Sequence, residues 1–187
     1  MTIFAETERL FLRTLEQHEL PRLVELIGDW EVVRWISVVP FPYTMKDAEE
    51  FYDDMVKCYE RGEPQFYAMA LKSDNLLVGG VGLHLPRNAT YGEGEIEIGY
   101  WLGKAFWGRG LMSEAACAAR DIGFSRPTTK CLGASTALDN VASQKVLTKI
   151  GLHNMGVTVR DFAALRGENE INKWQLTRAQ WERGLKP

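Results

Sequence analysis

Residues 95–115 constrain this chain more than any other stretch. From Glu95 to Leu102 the residues alternate, with Ile96, Ile98, Tyr100 and Leu102 on one face and Glu95, Glu97, Gly99 and Trp101 on the other, the period-two pattern of a β-strand. The strand runs straight into Gly103-Lys-Ala-Phe-Trp-Gly-Arg-Gly-Leu-Met-Ser-Glu-Ala115, and in the Ala-rich stretch 111–124 Leu111, Ala115, Ala118 and Ile122 align at helical spacing. A glycine-bearing turn between a strand and a helix points several unpaired backbone N–H groups outward, and the helix dipole adds positive charge there. That arrangement binds phosphate.

Elimination narrows the phosphate ligand. Gly103 to Gly108 has the spacing that opens a P-loop, but Arg109-Gly110 stands where Lys and Ser/Thr are needed, so the Mg²⁺ ligand is missing and nucleotide hydrolysis is disfavoured. Gly108-x-Gly110-x-x-Ser113 departs from the dinucleotide fingerprint, and about twenty residues on stands Lys130 rather than an acidic ribose-binding residue.

Around this unit, strand-like and helix-like periods are interleaved. Residues 9–15 read as a strand, and Leu20, Leu23, Val24 and Ile27 mark one helix face. Residues 30–43 carry Pro40, Pro42 and five large apolar or aromatic side chains, consistent either with a substrate-facing loop or with a packed connector. Thr44 with Asp47 opens a helix that Gly62 and Pro64 close. Residues 66–71 and 76–85 form a strand pair, 86–94 a polar turn, 130–136 a short strand, and Asp139 or Asn140 caps a helix that stops at Gly151. Residues 152–159 and 170–176 read as a closing strand pair around the polar turn 161–169, and 177–183 as a last helical turn. This is a mixed α/β pattern with one central sheet.

The 187 residues suit one domain, with 45% apolar and 25% charged residues, enough for a core without disulfides or metal. Cys58, Cys117 and Cys131 lack C-x-x-C spacing, and His18, His84 and His153 are scattered, so no metal site is expected and these side chains read as structural or exposed. With 22 basic against 25 acidic residues, net charge −3, and no run of Lys and Arg, direct nucleic-acid binding is disfavoured. The N-terminus has no basic region followed by an apolar one, and the longest apolar stretch, 76–83, is under half of the ~20 residues a membrane span needs. A cytoplasmic location is the expectation.

The chain resembles the GNAT N-acetyltransferases, and within them the RimJ/RimL-type branch that acetylates ribosomal-protein N-termini and other amines. The resemblance rests on Thr7-Glu8-Arg9-Leu10-x-Leu12-Arg13, on Glu97-Ile98-Gly99-Tyr100-Trp101-Leu102, on Trp107-Gly108-Arg109-Gly110-Leu111-Met112 followed by Glu114-Ala115, and on Asp139-Asn140-x-x-Ser143 ending in Lys149-Ile150-Gly151-Leu152. It implies a single domain over 1–187: a mostly antiparallel twisted sheet of six to seven strands, splayed at an acetyl-coenzyme A site and flanked by about four helices. It also implies direct transfer of acetyl from acetyl-coenzyme A to a primary amine in a ternary complex. The acceptor is a protein N-terminal α-amine or a small-molecule amine, and the protein is a monomer or homodimer. A coenzyme A-binding sensor without turnover is the alternative.

On that resemblance the diphosphate sits on the N–H groups from Gly108 through Arg109, Gly110, Leu111 and Met112 to Ser113, next to Trp107. The pantetheine arm pairs like a strand beside Ile98, Tyr100, Trp101 and Leu102, and Asn140 holds a pantetheine amide. Arg109 and Lys104 are candidate phosphate contacts or plain solvated cations. Met112 replaces a residue usually small, so its bulk must point away from phosphate.

Acetyl transfer to an amine needs a neutral amine, a stabilised oxyanion and an acceptable leaving group. Expelling a thiolate of pKa about 8.5 at pH 7 costs only ~2 kcal/mol. Deprotonating a lysine-like amine of pKa about 10.4 costs ~4.6 kcal/mol, and an α-amine of about 7.8 only ~1 kcal/mol. Base assistance therefore matters most for side-chain amines. Glu97 and Glu95, on one strand face, are the candidate bases, each alternatively a solvated strand carboxylate. Many relatives place a tyrosine acid where this chain has Leu147; Ser143, one turn after Asn140, is the branch's candidate donor to the departing sulfur. For Asn140 the alternative is a plain helix N-cap.

Overall fold

The alternating residues 95–102 form an inner strand of the sheet. The computed structural model describes residues 1–85, 94–162 and 167–184. Among them eight strands form one sheet: β1 (Ile3–Glu6), β2 (Leu10–Arg13), β3 (Phe66–Leu71), β4 (Leu77–His84), β5 (Glu95–Leu102), β6 (Cys131–Ala137), β7 (His153–Phe162) and β8 (Gly167–Thr177), in the order β1-β2-β3-β4-β5-β6-β8-β7. Every neighbouring pair is antiparallel except β5 with β6. The helices are α1 (Leu20–Ile27), α2 (Trp30–Val33), α3 (Met45–Glu60), α4 (Leu111–Ser125), α5 (Val141–Lys149) and α6 (Arg178–Gly184).

The strand number exceeds the six to seven expected, and the helix number the four. The added strand is β1, four residues with little alternation, which pairs with β2 across a bulge between Ile3 and Ala5. Tertiary pairing, not local pattern, makes it a strand. The added helices are the four-residue α2 within 30–43, too short to show a period, and the terminal α6, which answers to the last helical turn read at 177–183. The closing hairpin is also longer than its sequence suggested: Arg160 pairs with Asn169, so the ladder continues through much of the expected turn 161–169. The polar turn read at 86–94 lies, apart from Gly94, outside the described residues.

The faces of the sheet divide as the alternation requires. α3 covers the side bearing Phe66, where Phe51 meets Phe66 edge-on with ring centroids 5.0 Å apart. A Cβ at Gly80 would stand 2.3 Å from the Phe66 ring and 3.0 Å from the Trp101 indole, so glycine in this buried strand is a packing requirement. α4 covers the opposite side with Leu111, Ala115, Ala116, Ala119 and Phe124 buried, and lies so close that a Cβ at Gly123 would come within 2.9 Å of Ile96. Small residues thereby bring α4 hard against β4 and β5 and set its N-terminus beside the end of β5.

The capping expectations hold at three ends. Thr44 and Asp47 form a reciprocal capping box on α3. Asn140, rather than Asp139, caps α5, and Gly151 adopts φ +90° after it. All three cysteines are free thiols.

A buried ion pair lies inside this apolar frame. Arg13 is 1% exposed and Glu19 6%. Arg13 Nη1 and Nη2 donate to Glu19 at 2.8 and 2.7 Å, Nε donates to Asn75 Oδ1 at 2.9 Å, and the remaining two N–H groups reach the Thr14 and Asn75 carbonyls at 2.9 and 3.2 Å. All five guanidinium donors are used, joining β2, the turn before α1 and the β3–β4 hairpin. Burial alone would raise the Glu19 pKa, but the hydrogen bonds from Arg13 and the Glu16 N–H, with the Arg13 charge, hold it below the ordinary 4.5. Its contribution is therefore complete above about pH 4.5 and is lost as pH falls through the lowered value. Arg13→Met is expected to cost ~3–5 kcal/mol in denaturant unfolding at pH 7, because it strands a buried carboxylate. Glu19→Gln is expected to flatten the fall of stability below pH 4.5; an unchanged acid limb would count against this assignment.

Candidate active site

The site starts where a ladder stops. β5 and β6 pair only at Glu95 with Cys131, Ile96 with Leu132 and Glu97 with Gly133, although β5 runs on to Leu102 and β6 to Ala137. Past Glu97 and Gly133 the two parallel strands part, while each keeps its other neighbour: β4 pairs with β5 through Leu102, and β8 with β6 through Ala137. Two inner strands thus turn free edges toward one another. Such a gap offers backbone donors and acceptors to an extended, amide-bearing chain.

The glycine loop lies at the open end. Gly108 and Gly110 have φ of +74° and +77°, and nothing lies within 4 Å of a Cβ built at Gly108. Side chains here would be strained, and a β-carbon would obstruct the approach of a ligand to the backbone. The first backbone bond into α4 runs from Glu114 N–H to Gly110 O (3.2 Å), so the preceding N–H groups of the turn have no intrahelical partner. Trp107 Nε1 donates to the Leu102 carbonyl at 2.7 Å, fastening the loop to the end of β5. Leu111 and Met112 are buried; Met112 packs into the core, away from the loop surface, as its size requires. Ser113 is half-buried, and Lys104 and Arg109 are exposed at the rim, Arg109 with its guanidinium carbon 5.8 Å from the Phe106 ring centre.

The N-terminal motif explains itself here, although its spacing assigned it no role. Glu114, in the first turn of α4, accepts from Thr7 Oγ1 (2.5 Å), from Arg9 N–H (2.8 Å) and from Arg9 Nε (2.7 Å), while Arg9 Nη1 donates to the Arg109 carbonyl at 2.9 Å. Burial opposes ionisation of Glu114, but these bonds and the Arg9 charge hold its pKa below the ordinary 4.5. Arg9 therefore neutralises the Glu114 carboxylate in the first turn of α4 and braces the loop.

Glu97 and Glu95 share the face toward α3, as the alternation predicted, but their settings differ. Arg160 of β7 grips Glu97 in two bonds of 2.7 and 2.9 Å, and Ser135 donates to it at 3.3 Å. Glu95 stands at the closed end of the gap, opposite Cys131, whose thiol pKa is raised by burial and further by the Glu95 charge. His84, set aside as a scattered histidine, is the cross-strand neighbour of Glu97, with its ring folded over Gly82. Neither Arg160 nor His84 carried a sequence signal, because only the strand register brings them to Glu97.

On the opposite face Ile98 is buried and Tyr100 reaches α5. The Tyr100 hydroxyl lies 2.9 Å from Ser143 Oγ and 3.2 Å from the Ser143 carbonyl oxygen. Burial pushes the phenol pKa above its ordinary value of 10, with the Ser143 bond pulling the other way, so Tyr100 stays protonated at neutral pH. Asn140 Oδ1 accepts from Ser143 N–H at 3.1 Å, the helix-capping alternative. Leu147, one turn on, is wholly buried.

Of the connector 30–43, Trp30 and Phe41 meet edge-on at 5.0 Å on the surface, while Ile36, Val39 and Tyr43 pack against the core. Arg34 and Trp35 face Leu138, Asp139 and Glu170 across a cleft of about 200 Å³ at the end of β6. Among the described residues no three His, Cys, Asp or Glu are grouped to hold a metal, and no helix is long and apolar enough to cross a membrane.

Arg9→Ala is expected to weaken coenzyme A binding about tenfold in titration calorimetry by leaving Glu114 uncompensated at the loop. Glu114→Gln in the same background is expected to recover part of the loss. Unchanged affinity in Arg9→Ala would remove Arg9 from the site.

Comparison with known proteins bears on the whole arrangement. The pattern of the acetyltransferase (GNAT) domain matches residues 9–153. The chain is 27% identical over 161 residues to the uncharacterized N-acetyltransferase p20 of Bacillus licheniformis, covering 86% of this chain and 88% of that protein. Its fold matches a GNAT-family acetyltransferase from Bacillus anthracis with a TM-score of 0.78 at 23% identity, over 95% of this chain and 98% of the other. It also matches the ribosomal alpha-N-protein acetyltransferase RimL in complex with coenzyme A, with a TM-score of 0.71 at 18% identity, over 95% and 99% of the two chains. With a glycine loop at the end of β5, strands that part beside it and a family pattern covering most of its length, the chain belongs to the GNAT acetyltransferase family.

Proposed function

We propose that this chain is a one-domain, acetyl-coenzyme A-dependent N-acetyltransferase of RimJ/RimL-like type that acetylates a primary α-amine by direct transfer in a ternary complex. The observation that carries the reading is the early end of the β5–β6 ladder at Glu97 and Gly133, with the glycine loop following the far end of β5. The loop N–H groups from Gly108 to Ser113 take the diphosphate, the free edge from Ile98 to Leu102 pairs with the pantetheine amides, and Asn140 and Ser143 close the far side. The thioester then lies near Glu97, where acetyl-coenzyme A supplies the activated acyl group. RimL, whose fold this chain shares, is named for α-amine acetylation.

The choice of an α-amine follows from Glu97. Both its oxygens are engaged by Arg160, so taking a proton from an incoming ammonium means giving up part of that ion pair. An amine of pKa about 7.8 asks ~1 kcal/mol for deprotonation at pH 7, a lysine-like amine ~4.6 kcal/mol. The first needs little help from Glu97. Glu97 is then an orienting carboxylate for α-amines and a base only for acceptors of higher pKa. Glu95, at the closed end, is the weaker candidate on position alone.

Coenzyme A release across a panel of amines tests this. Peptides beginning with Ser, Thr or Ala are expected to exceed lysine-like amines and polyamines in kcat/KM by on the order of a hundredfold at pH 7, the gap narrowing as pH rises toward about 10. Tight coenzyme A binding with no turnover of any amine would return the sensor alternative. Glu97→Gln is expected to lower turnover several-fold more for lysine-like amines than for α-amines; an equal loss across the panel would reject the base role.

A further inference from the structure

We propose that Tyr100 is a positioning residue, whose hydroxyl orients the Ser143 hydroxyl toward the thioester sulfur across the β5–β6 gap. The inference rests on the acetyl-transfer reading above and adds to it a residue on the strand wall facing Ser143. Its basis is the pair of contacts from Tyr100 to Ser143, 2.9 Å to Oγ and 3.2 Å to the main-chain oxygen.

The phenol carries one proton, and Ser143 offers it two acceptors, Oγ at 2.9 Å and the carbonyl oxygen at 3.2 Å. The shorter of the two contacts is the one to Oγ. A phenol is a far stronger acid than an aliphatic alcohol, so the favoured direction is Tyr100 O–H to Ser143 Oγ. A hydroxyl that accepts such a bond becomes a better donor of its own proton, and that proton must then point away from Tyr100. The Asn140 cap holds the Ser143 main chain in place at 3.1 Å. Ser143 is half-buried, whereas Leu147 one turn deeper is fully buried, so Ser143 stands where the core gives way to the opening. Burial keeps Tyr100 protonated across the working range, so the orienting bond does not switch off with pH.

The chemistry this serves is complete without a strong acid. The amine nitrogen attacks the thioester carbon and the carbonyl π pair moves to oxygen. The nitrogen then loses a proton to water, the C=O re-forms, and the C–S bond breaks with its pair going to sulfur. Ser143 donates a hydrogen bond to that thiolate and keeps its proton, and solvent later protonates the sulfur. The products are the N-acetyl amide and coenzyme A thiol.

Tyr100→Phe removes the hydroxyl and keeps the ring. Tyr100→Phe and Ser143→Ala are each expected to lower kcat about tenfold, with KM for acetyl-coenzyme A within about twofold of the parent and the double variant no slower than Ser143→Ala alone. Losses that multiply in the double variant, or a Tyr100→Phe effect confined to KM, would overturn the proposal. A second readout is independent of turnover: thiolate ultraviolet absorbance of bound coenzyme A is expected to titrate about one pH unit lower in the parent than in either variant. Glu97 and Arg160, the charged pair at the gap, are untouched by both substitutions. Identical thiol titration in the parent and Tyr100→Phe would also overturn it. Should the parent bind coenzyme A and acetylate no amine, the enzymatic reading fails, and the thiol titration still decides whether Tyr100 sets the Ser143 hydroxyl.

Discussion

The structure turns on a ladder that is allowed to stop. Parallel strands in the middle of a sheet ordinarily pair along their whole overlap, because an unpaired inner edge leaves main-chain N–H and C=O groups without partners. Here β5 and β6 part after three residue pairs, and the surrounding packing keeps them apart without letting the sheet come undone. β4 and β8 hold the outer edges, α4 presses close against Ile96 through Gly123, and two polar links span the region of the opening. Glu97 with Arg160 ties β5 to the edge strand β7 on one face, and Tyr100 with Ser143 ties β5 to α5 on the other. Each of these links also holds a polar side chain of β5.

The two ends of the site work by different physics. At the loop the attraction is electrostatic and carried by main chain: positive-φ glycines, outward N–H groups and the α4 dipole, with Arg9 cancelling the nearby Glu114 charge. This is why a chain with net charge −3 is suited to a small polyanion without a basic surface. At the end proposed for the thioester the polar groups are few and already engaged with one another, Glu97 with Arg160 and Tyr100 with Ser143.

Much of this was legible in the residues. The alternation of 95–102, the glycine turn and the Ala-rich helix 111–124 predicted β5, the loop and α4, because each is a local pattern whose period is set by backbone geometry. The Thr44, Asn140 and Gly151 signals marked helix ends for the same reason. Less was legible where pairing is distant. β1 has too few residues to show a period, the hairpin strands run through residues that read as a turn, and Arg160 reaches Glu97 across 63 positions of sequence. Thr7 and Arg9 stood out in the N-terminal motif, but their contacts, with Glu114 and the Arg109 carbonyl, need residues 100 or more positions away.

The strand and helix periods, the glycine turn and the two faces of β5 are thus properties of the sequence by itself, since neighbouring residues and backbone geometry suffice to specify them. What only the tertiary structure decided is the protonic character of the site. Whether Glu97 is a free carboxylate or one held by a guanidinium, and whether Ser143 stands alone or takes its orientation from a buried phenol, depends on which strands and helices come to lie side by side. Contacts closed over long loops are set by the packing of the whole sheet, and no local pattern records them.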